Sequence, residues 1–140
     1  MKQFLSCMTA LCLVMGLCMP TYALPPKPAK CPGVASIKAA GLNYTLEAED
    51  GYVVLQMGRY DTLDTWAFGF TAIKATSKDA ALTIGKDMLT TLSGSPKPLP
   101  LASQNIWVCV YQTADGQHGV AITPVNLSTK LNTVLLAMAN

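Results

Sequence analysis

Two Asp-Gly pairs, Asp50-Gly51 and Asp115-Gly116, each lie between short runs in which apolar and polar residues alternate. Asp-Gly in that setting is a strong hairpin signal, because both residues accept the positive-φ backbone of a tight turn. Each pair therefore sets two strands antiparallel. Residues 43–49 alternate, with Tyr44, Leu46 and Ala48 on one side and Thr45, Glu47 and Glu49 on the other, and residues 52–57 form the return strand. Residues 106–113 and 118–125 flank the second pair. A further strand over residues 65–73 carries Trp66, Phe68, Phe70 and Ala72 on one face.

Helical patterns separate these strands. Residues 31–41 read as a short helix, with Pro32 in the first turn and Gly41 at its end. Ser77 is an N-cap, Asp79 favours the first turn, and Ala81, Ile84, Met88 and Leu92 form a helical stripe closed by Gly94. The proline-rich stretch 95–103 reads as a loop. At the end, Leu127, Leu131, Val134, Leu135 and Met138 share one helical face, as in a short docked helix. The expected fold is a single α+β domain. It has an about five-stranded, mainly antiparallel sheet with helices packed on one face, in the order α-β-β-β-α-β-β-α.

The first residues read as an export signal rather than as part of the domain. Lys2 precedes an uncharged apolar run of about 16 residues, followed by Pro20 and small residues that end at Ala23. That run is shorter than the roughly 20 residues a spanning helix needs. Leu17 before Cys18 argues against lipidation. The organisation expected is a cleaved signal peptide over 1–23, a proline-rich, mobile leader over 24–30 and one domain over 31–140, with no transmembrane segment after cleavage.

Cleavage changes the cysteine arithmetic. Cys7, Cys12 and Cys18 leave with the signal, and Cys31 and Cys109 remain. In an oxidising compartment two thiols in a small domain pair. The bridge would close a loop of about 78 residues, worth roughly 2–4 kcal/mol, and would pin the N-terminal helix to the sheet.

Composition narrows the function classes. Without Lys2, nine basic residues face eight acidic ones, with no basic cluster to attract nucleic acid. Two lone cysteines and one histidine do not make a zinc site. Glycine-rich phosphate loops and a G-x-S-x-G elbow are absent. No cofactor is expected.

The segment from Gly58 to Phe70, GRYDTLDTWAFGF, concentrates charge and aromatics. Its plainest reading is a turn leading into a core strand, since Asp61, Thr62 and Asp64 are good turn residues. Its functional reading is a contact surface for a protein or an envelope component, with Arg59, Tyr60, Asp61, Asp64 and Trp66 as its residues; arginine and aromatics dominate binding hot spots. A third reading is a small secreted hydrolase that uses carboxylates near Asp61 and Asp64, or His118. Acid–base work by two carboxylates needs opposed environments, and a histidine base needs a nucleophile within hydrogen-bond reach.

The order of these motifs also carries a resemblance. CPGVASIKAAGL, then RYDTLDTWAFGF, then a helix ending LSGSPKP, then IWVCVYQTADG, resembles the small secreted Legionella-type proteins of unknown function. The matching features are Cys31, Arg59-Tyr60, the D-T-x-x-x-W turn from Asp61 to Trp66, the L-S-G-x-P stretch from Leu92 to Pro96, and Trp107 to Cys109. The resemblance covers most of the chain after residue 23. It implies export and a cysteine pair, and it implies no activity. This chain departs from the family's acidic loop after L-S-G, carrying Lys97 with Pro96, Pro98 and Pro100 instead.

Overall fold

The structure is a computed structural model that describes residues 23–125. The elements run α1 (Val34–Ala40), β1 (Tyr44–Ala48), β2 (Gly51–Gly58), β3 (Trp66–Ile73), α2 (Lys78–Thr90), β4 (Leu99–Leu101), a 3-10 turn (Ala102–Gln104), β5 (Ile106–Gln112) and β6 (His118–Thr123). All six strands join one antiparallel sheet in the order β1-β2-β3-β6-β5-β4. The fold is α+β, with six strands where five were expected. The extra strand comes from the proline-rich stretch read as a loop. Leu99, Pro100 and Leu101 pair with Val108, Trp107 and Ile106 at the sheet edge, where a proline without an N–H is tolerated. The signal segment and the expected last helix fall on residues 1–22 and 126–140, outside the described residues.

Both Asp-Gly pairs make hairpins. At the first, Ala48 pairs with Gly51, so the glycine begins β2. Gly51 has φ +135°, and a Cβ there would lie 2.5 Å from the carbonyl oxygen of Ile73. Glycine is thus required by a neighbouring strand as well as by the turn.

The core lies between the sheet and the two helices. Val54, Trp66, Phe68, Phe70, Ile73, Cys109 and Tyr111 from the sheet meet Ile37 of α1 and Ala81 and Leu89 of α2. Phe68 packs edge-on against both Phe70 and Tyr111, with ring centroids 5.4 and 5.7 Å away. Ile73 takes the inward place expected for Ala72. Ala72 has φ +55°, and the β2–β3 register slips between Tyr52 and Val54, so the bulge reverses the inside–outside phase.

Helix α2 begins as read, with the Ala80 N–H donating to Ser77 Oγ at 3.1 Å. It ends at Thr90 with Thr91 as its C-cap, before Gly94. Its buried line is Ala81, Gly85 and Leu89, whereas Ile84 is exposed. The stripe is rotated because Gly85 lets the helix sit directly on Val54.

The 24–30 leader, expected to be mobile, is tied down. Trp107 Nε1 donates to the carbonyl of Pro25 at 2.9 Å, and Pro28 is buried. Helix α1 is shorter than expected: it starts at Val34, after Gly33 with an extended backbone as its N-cap. Cys31 and Cys109 form a disulfide, which reaches the fifth strand, and Tyr111 OH donates to the Pro32 carbonyl at 2.5 Å.

Candidate functional site

The 59–65 turn joins β2 to β3, and β3 is one of the two central strands of the sheet. It is built by a few side chains. Tyr60 adopts φ +54°, a left-handed conformation that a bulky residue avoids unless its surroundings hold it. Its ring packs against the core, and its hydroxyl donates to the Gln56 carbonyl at 2.9 Å. Burial raises the Tyr60 phenol above its ordinary range, so it stays a neutral donor.

Thr62 is the hub of the turn. Its hydroxyl accepts from the Trp66 indole N–H at 2.9 Å and from the Asp64 N–H at 3.2 Å, and it donates to the Arg59 carbonyl at 2.9 Å. The backbone N–H of Thr62 donates to the same Arg59 carbonyl at 3.0 Å. A buried indole N–H wants an acceptor, and the D-T-x-x-x-W spacing supplies one four residues earlier.

Asp61 faces the other way, toward the start of the domain. Its Oδ1 accepts the Gly33 N–H at 2.7 Å, and its Oδ2 accepts from Lys30 Nζ at 2.8 Å. The Lys30 hydrogen bond and then the Gly33 N–H hold the Asp61 carboxyl down at about 2. On the sheet side, burial raises the Tyr111 phenol, and the Asp61 charge adds to that shift. The turn, the disulfide and the segment before α1 thus form one clamp.

The nominated residues separate into two sets. Trp66 has 0 % of its surface exposed, so its ring fixes the turn from inside and offers no contact surface. Arg59 is exposed, and among the described residues its guanidinium has no hydrogen-bond or ion-pair partner. Asp64 is half-buried and Asp61 is engaged as described. Sequence reasoning passed over Leu63, which projects from the tip with 91 % of its surface exposed. It also passed over Thr62 as hub, and over Lys30 and Gly33 as partners of Asp61. The Thr–Trp spacing carries a signal for the first; the Asp61 contacts span 28 and 31 residues and have no local one.

His118 lies elsewhere. It pairs with Gln112 at the start of β6, while Thr123 at the end of β6 donates to the Thr65 carbonyl beside the turn at 2.7 Å. The length of β6, roughly 3.3 Å per residue, therefore separates His118 from Asp61 and Asp64. The three do not converge in one cleft. Two open grooves border α2, one containing Asp87 and Asp115 and the other Lys38 and Lys86; neither is lined by the 59–66 segment. Among the described residues, no group of three His, Cys, Asp or Glu side chains is placed to hold a metal.

The fold and this clamp define a small disulfide-stapled α+β domain on a single antiparallel sheet. The chain belongs to the family described as a domain of unknown function, DUF4949, which it matches over residues 30–131. Neither the curated proteins nor the solved structures contain a match. Among the described residues no helix is long and apolar enough to cross a membrane.

Proposed function

We propose that this chain is an exported interaction module whose contact surface is the tip of the 59–64 turn, presented to a protein or envelope component outside the cytoplasm. The observation that carries this reading is Leu63. A projecting leucine and an unpaired arginine on one turn braced by Thr62 and Asp61 make a prearranged apolar-plus-cationic contact. Rigid presentation of that kind lowers the ordering cost of binding, and arginine is one of the residue types enriched in binding hot spots. Tyr60, Asp61, Asp64 and the buried Trp66 serve as the frame, with Arg59 and Leu63 as the contacts.

Export rests on the N-terminal pattern, on the Cys31–Cys109 bridge, which belongs with an oxidising compartment, and on the likeness to small secreted Legionella-type proteins. Residues 1–23 act as the signal, 24–30 as the leader and 31–140 as the domain. The hydrolase reading has no comparable support, because Asp61 is committed to Lys30 and Gly33.

The test is site-specific photocrosslinking in the producing cell. A photoreactive residue at position 63 is expected to give a discrete adduct that disappears on Arg59→Ala, while the same residue at Glu49 gives none. Equal labelling at both positions, or none at 63, overturns the proposal.

A further inference from the structure

Val54 meets Gly85 of α2, so its neighbours Val53 and Leu55 point to the opposite face of the sheet. Directly paired residues share a face, and the register therefore draws two rows across that side. One is Leu99, Val108, Ile122, Ala67 and Met57. The other is Val110, Val120, Gly69, Leu55 and Tyr44. Neither row holds a charge. Leu99, Tyr44 and Val110 keep 57 %, 53 % and 40 % of their surface exposed, whereas Val53 and Leu55 of β2 keep 2 % and 4 %. Those two cluster with Leu46, Met57 and Val120, and neither α1 nor α2 contributes a residue to that cluster.

We propose that residues 126–140 form an amphipathic helix laid across this face, turning the two-layer domain into a three-layer sandwich. Three observations favour this occupant. The segment follows directly from β6, which lies inside the sheet with strands on both sides, so it continues from the interior of the sheet and not from an edge. Its 15 residues, about 22 Å as a helix, match the width of a few strands spaced about 4.8 Å apart. Leu127, Leu131, Val134, Leu135 and Met138 lie on one helical side, with Leu136 opposite them, and Lys130 is the segment's only charged side chain. Choosing this end of the chain over residues 1–22 rests on removal of the latter during export.

The experiment uses the full chain as its host processes it, with a photoreactive residue at Leu131 and mass spectrometry of the monomer band. The same spectrum reports the first residue of the mature chain, so a failure of export is seen separately from a failure of docking. The expected result is an intramolecular crosslink to peptides of β2 or β6. A crosslink found only in a dimer band makes a second copy the cover and overturns the proposal, as does labelling confined to the helix side of the sheet or no labelling of the sheet. In parallel, Leu131→Glu with Leu135→Glu is expected to lower Tm by about 5 °C or more and to raise binding of a hydrophobic dye, while Thr129→Glu with Thr133→Glu leaves both near parental values. Equal behaviour of the two pairs overturns it as well.

Discussion

The carboxylate of Asp61 accepts the backbone N–H of Gly33, a residue 28 positions earlier in the chain, at 2.7 Å. That bond joins the β2–β3 turn to the stretch that carries Cys31, so turn and disulfide hold the same N-terminal segment from two sides. Lys30 completes the contact and keeps the carboxyl ionised.

The pH dependence follows from that shift. The folded Asp61 carboxyl lies at about 2, below the roughly 3.9 of an unfolded aspartate. Its contribution is therefore fully present above about pH 4 and is lost as pH falls toward 2. Asp61→Asn is expected to lower neutral-pH stability by about 1 kcal/mol, the group being partly exposed. It should flatten the acid limb in that window, and it should speed tryptic cleavage after Lys30. Denaturant titrations at a series of pH values check the first two effects, and a digest checks the third. A variant with the parental acid limb would remove the clamp from the account.

Thr62→Val keeps the shape of the side chain and removes the acceptor of the Trp66 indole N–H. A buried donor left without a partner costs roughly 1–3 kcal/mol. Thr62→Ser, which retains the hydroxyl, is expected to recover most of that loss. Thermal unfolding of the two variants side by side decides it; equal losses would mean that the hydroxyl is not the hub.

Gly85→Ala should destabilise although alanine favours a helix. The new Cβ would lie 3.0 Å from Val54 Cγ1 and 3.1 Å from Val54 Cβ, and a Cβ cannot swing aside. Overpacking of about 1–3 kcal/mol outweighs the helix gain of about 0.5–1. Combining it with Val54→Ala is expected to give less than the sum of the two losses. Additive losses would place no close contact between them.

Leu63→Ser and Arg59→Ala should change stability by no more than about 0.5 kcal/mol, since neither side chain is part of the core. Chemical denaturation checks this. A larger loss would give the tip a structural role and weaken its assignment as a contact surface.

Local chemistry made much of this fold readable. The Asp-Gly pairs announce both hairpins, the aromatic alternation after Thr65 announces the central strand, and two cysteines left after the first 23 residues announce their own pairing. What was hidden is non-local or runs against propensity. Leu99-Pro100-Leu101 reads as a break, yet joins an edge where the missing N–H does no harm. The bulge at Ala72 turns Ile73 inward, in a place where only a glycine at 51 leaves room for the carbonyl of Ile73. The α2 stripe favours Ile84 by hydrophobicity, but Gly85 admits the closest approach to the sheet. At the candidate site the aspartates and Arg59 stand out by composition, whereas Leu63 matters only once the turn places it outward, and the Asp61 partners appear only when the chain folds back on itself.

The most direct measurement is the unreduced mass of the chain recovered from its producing cell, before and after thiol alkylation of the folded protein. The account predicts a chain that begins at Leu24, lighter by two hydrogens than its reduced form, with Cys31 and Cys109 untouched by alkylation until reductant is added. A full-length chain that begins at Met1, with both thiols alkylating freely in the folded state, would contradict it.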